Sequence, residues 1–212
     1  AYTIQVPVHG RYLLRMPEGK GSSPLLAGFH GYGETAEDEM ARLEAIDGSS
    51  GYCLCAIEAL HPFRTPKGVS GASWMTSKDR DLRIAENVGY VDGVISALLD
   101  SGRISGSMVF HGFSQGAGMA CRAAALGRHT VTGVMLLGGD IPPELDRLER
   151  MLRVHLARGR RDPLYAEERF VRDARRLRDA NVACSPVTFA GGHGANEEYY
   201  SSAGEFLGAI GR

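Results

Sequence analysis

Apolar runs alternating with stretches of helical period constrain this chain of 212 residues more than any single motif. The runs cover residues 25–29, 52–57, 108–110, 131–137, 152–157 and 182–189. They are nearly unbroken rather than alternating, the composition of parallel strands covered on both faces. Between them Ile84, Val88, Val91, Ile95 and Leu98 recur at steps of four and three, one stripe of an amphipathic helix. Phe170, Ala174 and Leu177 repeat the step, with Glu168 and Arg172 one turn apart beside them. Helices are also expected over residues 36–46, 115–126 and 196–210. Strands alternating with helices predict a mostly parallel, doubly wound α/β sheet, whose ligands bind at the carboxyl ends of the strands. The beginning of the chain differs: residues 3–8 and 12–16 read as an antiparallel hairpin turning at His9-Gly10. No repeat or linker divides the sequence, so one domain over residues 1–212 is expected.

Bulk properties narrow the function classes. A net charge of −1 gives no electrostatic basis for binding nucleic acid or an anionic membrane. No apolar run approaches the ~18 residues of a membrane-spanning helix, and the first twenty residues lack the zones of a secretory signal. Cys53, Cys55, Cys121 and Cys184 have neither zinc nor disulfide spacing and are expected as small buried hydrophobes in a reducing cytoplasm.

Between the run at 108–110 and the helix at 115–126 stands Gly112-Phe113-Ser114-Gln115-Gly116. A Gly-x-Ser-x-Gly turn from strand to helix is a nucleophile elbow, which lifts a serine hydroxyl above the sheet edge. Glycine is abundant here (28 residues), and chance yields the pattern in about one shuffled chain in four. The flanking strand and helix therefore carry the assignment. A glycine turn that cradles phosphate is the competing explanation. It lacks support, because no Gly-x-Gly-x-x-Gly follows the first run and no Gly-Lys-[Ser/Thr] occurs.

A nucleophilic serine needs a base, and the base needs a group to orient it. The run at 152–157 leads to Gly159-Arg160-Arg161-Asp162, and that at 182–189 to Gly191-Gly192-His193-Gly194. Asp162 and His193 thus reach the edge that bears Ser114, in the order nucleophile, acid, base. Each has a plainer alternative. Asp162 could cap a helix that begins at Pro163, and His193 could be a solvated histidine in a glycine loop. Asp140, after the run ending at Leu137, is a second candidate acid. His111 abuts the elbow and is expected to pack beneath it. Two backbone N–H groups must face the developing oxyanion. Gln115 supplies one, and Tyr32, in the glycine-flanked loop His30-Gly31-Tyr32-Gly33, the other. Trp74 and Tyr32 are candidate walls of an apolar acyl pocket, Trp74 alternatively an anchor for the long irregular segment 58–81 that also holds Pro62, Phe63 and Pro66.

With these residues placed, the chain resembles the phospholipase/carboxylesterase family of small α/β-hydrolases, which includes acyl-protein thioesterases and bacterial carboxylesterases. The shared motifs are His30-Gly31-Tyr32-Gly33, Ser73-Trp74, Gly112-Phe113-Ser114-Gln115-Gly116, Gly159-x-x-Asp162 and Gly192-His193, within residues 22–211. The resemblance implies an α/β-hydrolase fold without a large cap domain. It also implies hydrolysis of small-molecule carboxylic esters or thioesters, of short to medium acyl length, without metal or cofactor. Ser114, Asp162 and His193 take the catalytic positions, and the Tyr32 and Gln115 amides the oxyanion hole. Glu34 stands where the family usually has aspartate, and Met75-Thr76 where it often has an aromatic and an acid; both changes bear on acyl preference. A serine peptidase of the same fold and a non-catalytic binding module are the alternatives. An exposed edge strand near the first hairpin leaves a homodimer open.

Overall fold

The computed structural model describes residues 2–19, 21–64 and 68–210, so Pro66 lies outside the described residues. A seven-stranded sheet is built from β1 (Tyr12–Arg15), β2 (Ser23–Phe29), β3 (Cys53–Ile57), β6 (Ile104–Phe113), β7 (Gly133–Leu137), β8 (Arg153–Gly159) and β9 (Ala183–Phe189). Its spatial order is β1-β3-β2-β6-β7-β8-β9, parallel throughout except where β1 runs against β3. Among the described residues five α-helices accompany it: α1 (Ala36–Glu44), α2 (Arg80–Asp100), α3 (Gln115–Leu126), α4 (Glu167–Asp179) and α5 (Glu197–Ile210).

The unbroken apolar runs follow from this layering. On β2, Leu25, Ala27 and Phe29 point to one face, under α2 and α3, while Leu26 points to the other, under α1 and α5. On β3, Cys53, Cys55 and Ile57 face the first layer, and Leu54 and Ala56 the second. Both sides of each central strand are therefore sealed from water, as parallel sheets require. No cysteine is bonded to another among the described residues, and Cys53, Cys55 and Cys121 are buried. No helix among them is long and apolar enough to cross a membrane.

Two expectations change. Residues 3–8 form no strand, so the N-terminal hairpin is absent, and the antiparallel element is β1 laid on β3 from Tyr12↔Ile57 to Arg15↔Leu54. The physical reason is burial. Ile4, Val6 and Val8 alternate like strand residues yet are all exposed, with no second layer to cover them, and Pro7 cannot donate to a ladder. A lone two-stranded hairpin is marginal in water, whereas β3 offers β1 a prebuilt edge. The second change concerns segment 58–81, whose described residues include regular structure. β4 (His61–Arg64) and β5 (Ser70–Ser73) pair as a hairpin. The hairpin docks on the loop after β2 through Gly33 N→Ala72 O (3.0 Å) and Ala72 N→Glu34 O (3.0 Å).

The interior holds an unusual imidazole. His155, buried in β8, shares a hydrogen bond with Ser202 Oγ (3.1 Å), and its Nδ1 has no partner among the described residues. Burial, reinforced by nearby His111, pushes its pKa down to about 4. An unfolded imidazole titrates near ~6.5. Between those values the unfolded chain binds a proton that the folded one does not, so stability is full above the window and falls as pH drops through it. The urea midpoint of the wild type is expected to fall from pH 7.5 to 4.5 more steeply than that of His155→Phe. Equal slopes would show that this histidine carries no such linkage.

Candidate active site

Ser114 sits on the turn between β6 and α3 with φ 53° and ψ −117°, a conformation side chains rarely adopt. Such strain costs of order 1–3 kcal/mol and persists only where the surroundings enforce it. They do so on several sides. A Cβ at Gly116 would lie 1.9 Å from Phe29 O, and one at Gly112 would lie 2.3 Å from Gly116 O. The elbow is thus pressed against β2 with room for backbone alone. Ser114 N–H donates to Leu137 O at 2.8 Å, fastening it to the end of β7 as well.

Asp162 follows β8. Its Oδ1 accepts from the amides of Leu164 (2.8 Å) and Tyr165 (3.0 Å), closing a turn that keeps the carboxylate fixed. Buried Arg158 supports the turn by donating from Nε to Tyr165 O (3.1 Å). The alternative of Asp162 as a helix cap does not hold, because α4 begins only at Glu167, with Ala166 at the cap position. Beyond β9, His193 places Nδ1 2.9 Å from Asp162 Oδ2 and 3.0 Å from Oδ1. Its Nε2 lies 2.9 Å from Ser114 Oγ. An ionised carboxylate can only accept, which assigns the proton to Nδ1 and leaves Nε2 to accept the serine hydroxyl.

Serine and acid leave β6 and β8, so the contact spans the intervening β7. At its end Gly138 has φ +61°, and a Cβ there would stand 3.2 Å from Asp162 Oδ2 and 3.3 Å from His193 Nδ1. Asp140, the other candidate acid, is 47% exposed and faces Arg169 (3.8 Å) and Arg172 (3.7 Å) instead of the imidazole.

The loop after β2 leaves one amide open. Gly31 N–H donates to Glu34 Oε2 (2.8 Å) and Gly33 N–H to Ala72 O (3.0 Å), while the Tyr32 amide between them has no partner among the described residues. The Gln115 amide, at the first position of α3, has none among them either. The Gln115 side chain is occupied: Oε1 accepts from Trp74 N–H (2.9 Å), and Nε2 donates to Ser73 Oγ (3.1 Å). It joins the elbow to the end of β5.

Trp74 is not a pocket wall. It is 0% exposed, packs edge-on to Phe29 at 5.5 Å and donates from Nε1 to His30 O (2.9 Å). Burial of both ring and indole N–H makes it the anchor of the hairpin. Tyr32 is 64% exposed and stacks on Phe63 with centroids 4.9 Å apart. Phe63 carried no sequence signal of its own, since only the β4–β5 pairing brings it to this edge. His111 packs beneath the elbow as expected, its Nδ1 2.5 Å from Glu39 Oε1 and its Nε2 2.7 Å from Tyr199 Oη.

Residues 19–210 match the family described as phospholipase/carboxylesterase. The chain belongs to the phospholipase/carboxylesterase family. Solved structures place the same fold on this family member. The Bacillus cereus carboxylesterase is 16% identical with a TM-score of 0.75, the match covering 95% of this chain and 94% of that one. The Zea mays acyl-protein thioesterase 2 is 17% identical with a TM-score of 0.73, over 95% and 99%. Arabidopsis thaliana SOBER1 is 16% identical with a TM-score of 0.72, over 90% and 100%. These identities establish the α/β-hydrolase fold. No curated protein sequence matches the chain.

Proposed function

We propose that this family member is a serine carboxylesterase that hydrolyses short-to-medium acyl esters or thioesters through an acyl-enzyme on Ser114. The observation that carries the proposal is the continuous hydrogen-bonded line from Ser114 Oγ through His193 to Asp162, beside two amides that have no partner among the described residues. Ser114 Oγ attacks the acyl carbonyl while Nε2 of His193 takes its proton, and Asp162 stabilises the imidazolium. The amides of Tyr32 and Gln115 receive the oxyanion, an interaction worth roughly 10²–10³ in rate per donor in comparable sites. The bond to the leaving oxygen or sulfur then breaks, and His193 returns its proton to that atom. Water, deprotonated by the same imidazole, attacks the acyl-enzyme; the bond from the acyl carbon to Ser114 Oγ breaks, the acid leaves and His193 returns the proton to Oγ. Tyr32 and Phe63 offer an apolar platform beside the carbonyl, and an acyl chain rather than a charged group suits it.

A fluorophosphonate probe followed by peptide mapping tests the proposal. A single adduct on Ser114, with turnover of p-nitrophenyl butyrate far above that of a peptide anilide, is the expected outcome. Faster anilide cleavage would make the protein a peptidase, and an intact, folded chain without adduct would make the site a binding pocket.

A further inference from the structure

A buried cation links the two halves of the oxyanion site. Arg42, on α1, has a side chain only 11% exposed. Its Nη2 donates to Glu34 Oε1 at 2.8 Å, and the other oxygen of that carboxylate accepts the Gly31 N–H at 2.8 Å. Gly31 precedes Tyr32, so the carboxylate grips the peptide next to the unclaimed amide. Arg42 Nη1 donates to Glu39 Oε2, and Glu39 reaches His111 of β6 through its other oxygen. The guanidinium carbon lies 4.3 Å above the Phe113 ring. Phe113 precedes Ser114, and its ring stands 5.0 Å from that of His193. One planar group therefore touches the support of the Tyr32 amide, the strand beneath the serine and the ring beside the imidazole.

We propose that Arg42 is a positioning residue for catalysis, holding the Tyr32 amide, Ser114 and His193 in one geometry; this rests on the assignment of Ser114 as nucleophile. The fork of the guanidinium matters as much as its charge. Its two nitrogens serve two carboxylates in fixed directions while its face covers an aromatic ring, and an ammonium ion has neither the rigid fork nor a planar face to stack. Burial disfavours the charged forms of Arg42 and Glu39 alike, but the partners together outweigh it: His111 and then Arg42 hold the Glu39 carboxyl low, and Glu39 with Glu34 hold the Arg42 guanidinium high. Loss of the cation would leave Oε2 of the buried Glu39 carboxylate without its partner, His111 holding only Oε1, so lysine is the informative replacement.

Arg42→Lys is expected to fold, as read by circular dichroism, and to lower kcat on p-nitrophenyl butyrate about 10–100-fold with KM changed less than about threefold. Affinity for a simple alkyl boronic acid, which binds serine as a tetrahedral adduct, should fall by a factor similar to that in kcat, because both depend on the oxyanion geometry. A residue that merely supports the fold would reduce the titratable fraction of sites and leave kcat per fluorophosphonate-reactive serine unchanged. Glu34→Gln, outside the buried pair, keeps an acceptor for Gly31 but loses the ion pair, and should lower kcat per site about three- to tenfold. It carries the test if the lysine variant does not fold. Values of kcat per site and boronate affinity within about twofold of wild type in a folded Arg42→Lys, or in Glu34→Gln if it alone folds, would overturn the inference and leave the nucleophile assignment intact. A wild type that neither labels nor turns over would overturn both.

Discussion

Replacing Ser114 with alanine will lower kcat/KM toward an activated ester by about 10⁴-fold or more and leave the fold intact. The magnitude follows from how such groups act together. Serine and base lose nearly everything singly, and removing the second costs little more. His193→Ala and the double variant should therefore approach the same floor, a residual rate supplied by the amides and by binding alone. Asp162→Asn separates the acid from its rival. The amide cannot stabilise an imidazolium as a carboxylate does, and a loss of about 10⁴ in kcat is expected. Asp140→Asn should stay within about threefold of wild type, since its carboxylate faces Arg169 and Arg172. A larger loss in Asp140→Asn than in Asp162→Asn would move the acid to the end of β7. Steady-state rates with p-nitrophenyl butyrate decide between these outcomes.

Gly116→Ala is the largest structural change a single methyl can impose here. The new Cβ would enter to 1.9 Å from Phe29 O and 2.6 Å from His30 O. Both obstacles are backbone, held by the central ladder between β2 and β6, so no rotamer change relieves the contact. Overpacking among side chains costs about 1–3 kcal/mol. A collision with fixed backbone belongs to the rare class above about 4 kcal/mol. The expected result is a chain that unfolds at much lower urea or fails to accumulate. Any folded remainder should react poorly with fluorophosphonate, because the α3 amide and the loop after β2 would be forced apart. Stability within about 1 kcal/mol of wild type would mean that the elbow is less tightly seated than its contacts imply.

The same contacts show why parts of this molecule were readable in the sequence and others were not. Ser114, Asp162 and His193 are legible because each follows an apolar run, and a parallel sheet delivers all such positions to one edge. The runs themselves are legible because burial on both faces removes polar residues from them. Residues 3–8 misled for the converse reason: alternation of Ile4, Val6 and Val8 signals one apolar face but says nothing of whether a layer exists to cover it. Trp74 was legible only as two alternatives, a pocket wall or an anchor. A lone tryptophan in a long connection resembles a pocket wall until the β4–β5 pairing turns it inward against Phe29 and the His30 carbonyl. Arg42 and Phe113 are far apart in the chain and meet only through the packing of α1 on the sheet, so no local pattern announces them.

The three proposed catalytic groups are not mounted on equal supports. Ser114 and Asp162 follow β6 and β8, each flanked on both sides, whereas His193 follows β9, which pairs with β8 alone. Most of β9 is exposed or half-buried, and Pro186 within it gives no N–H to a further strand, which blocks growth of the sheet at that border. Opening free energies are lowest where few buried contacts must part. Gentle warming should then unzip the outermost ladder first, withdrawing the imidazole while the serine stays seated over an intact core. Under the proposed mechanism, inactivation on warming is expected to be a reversible loss of the base that precedes melting.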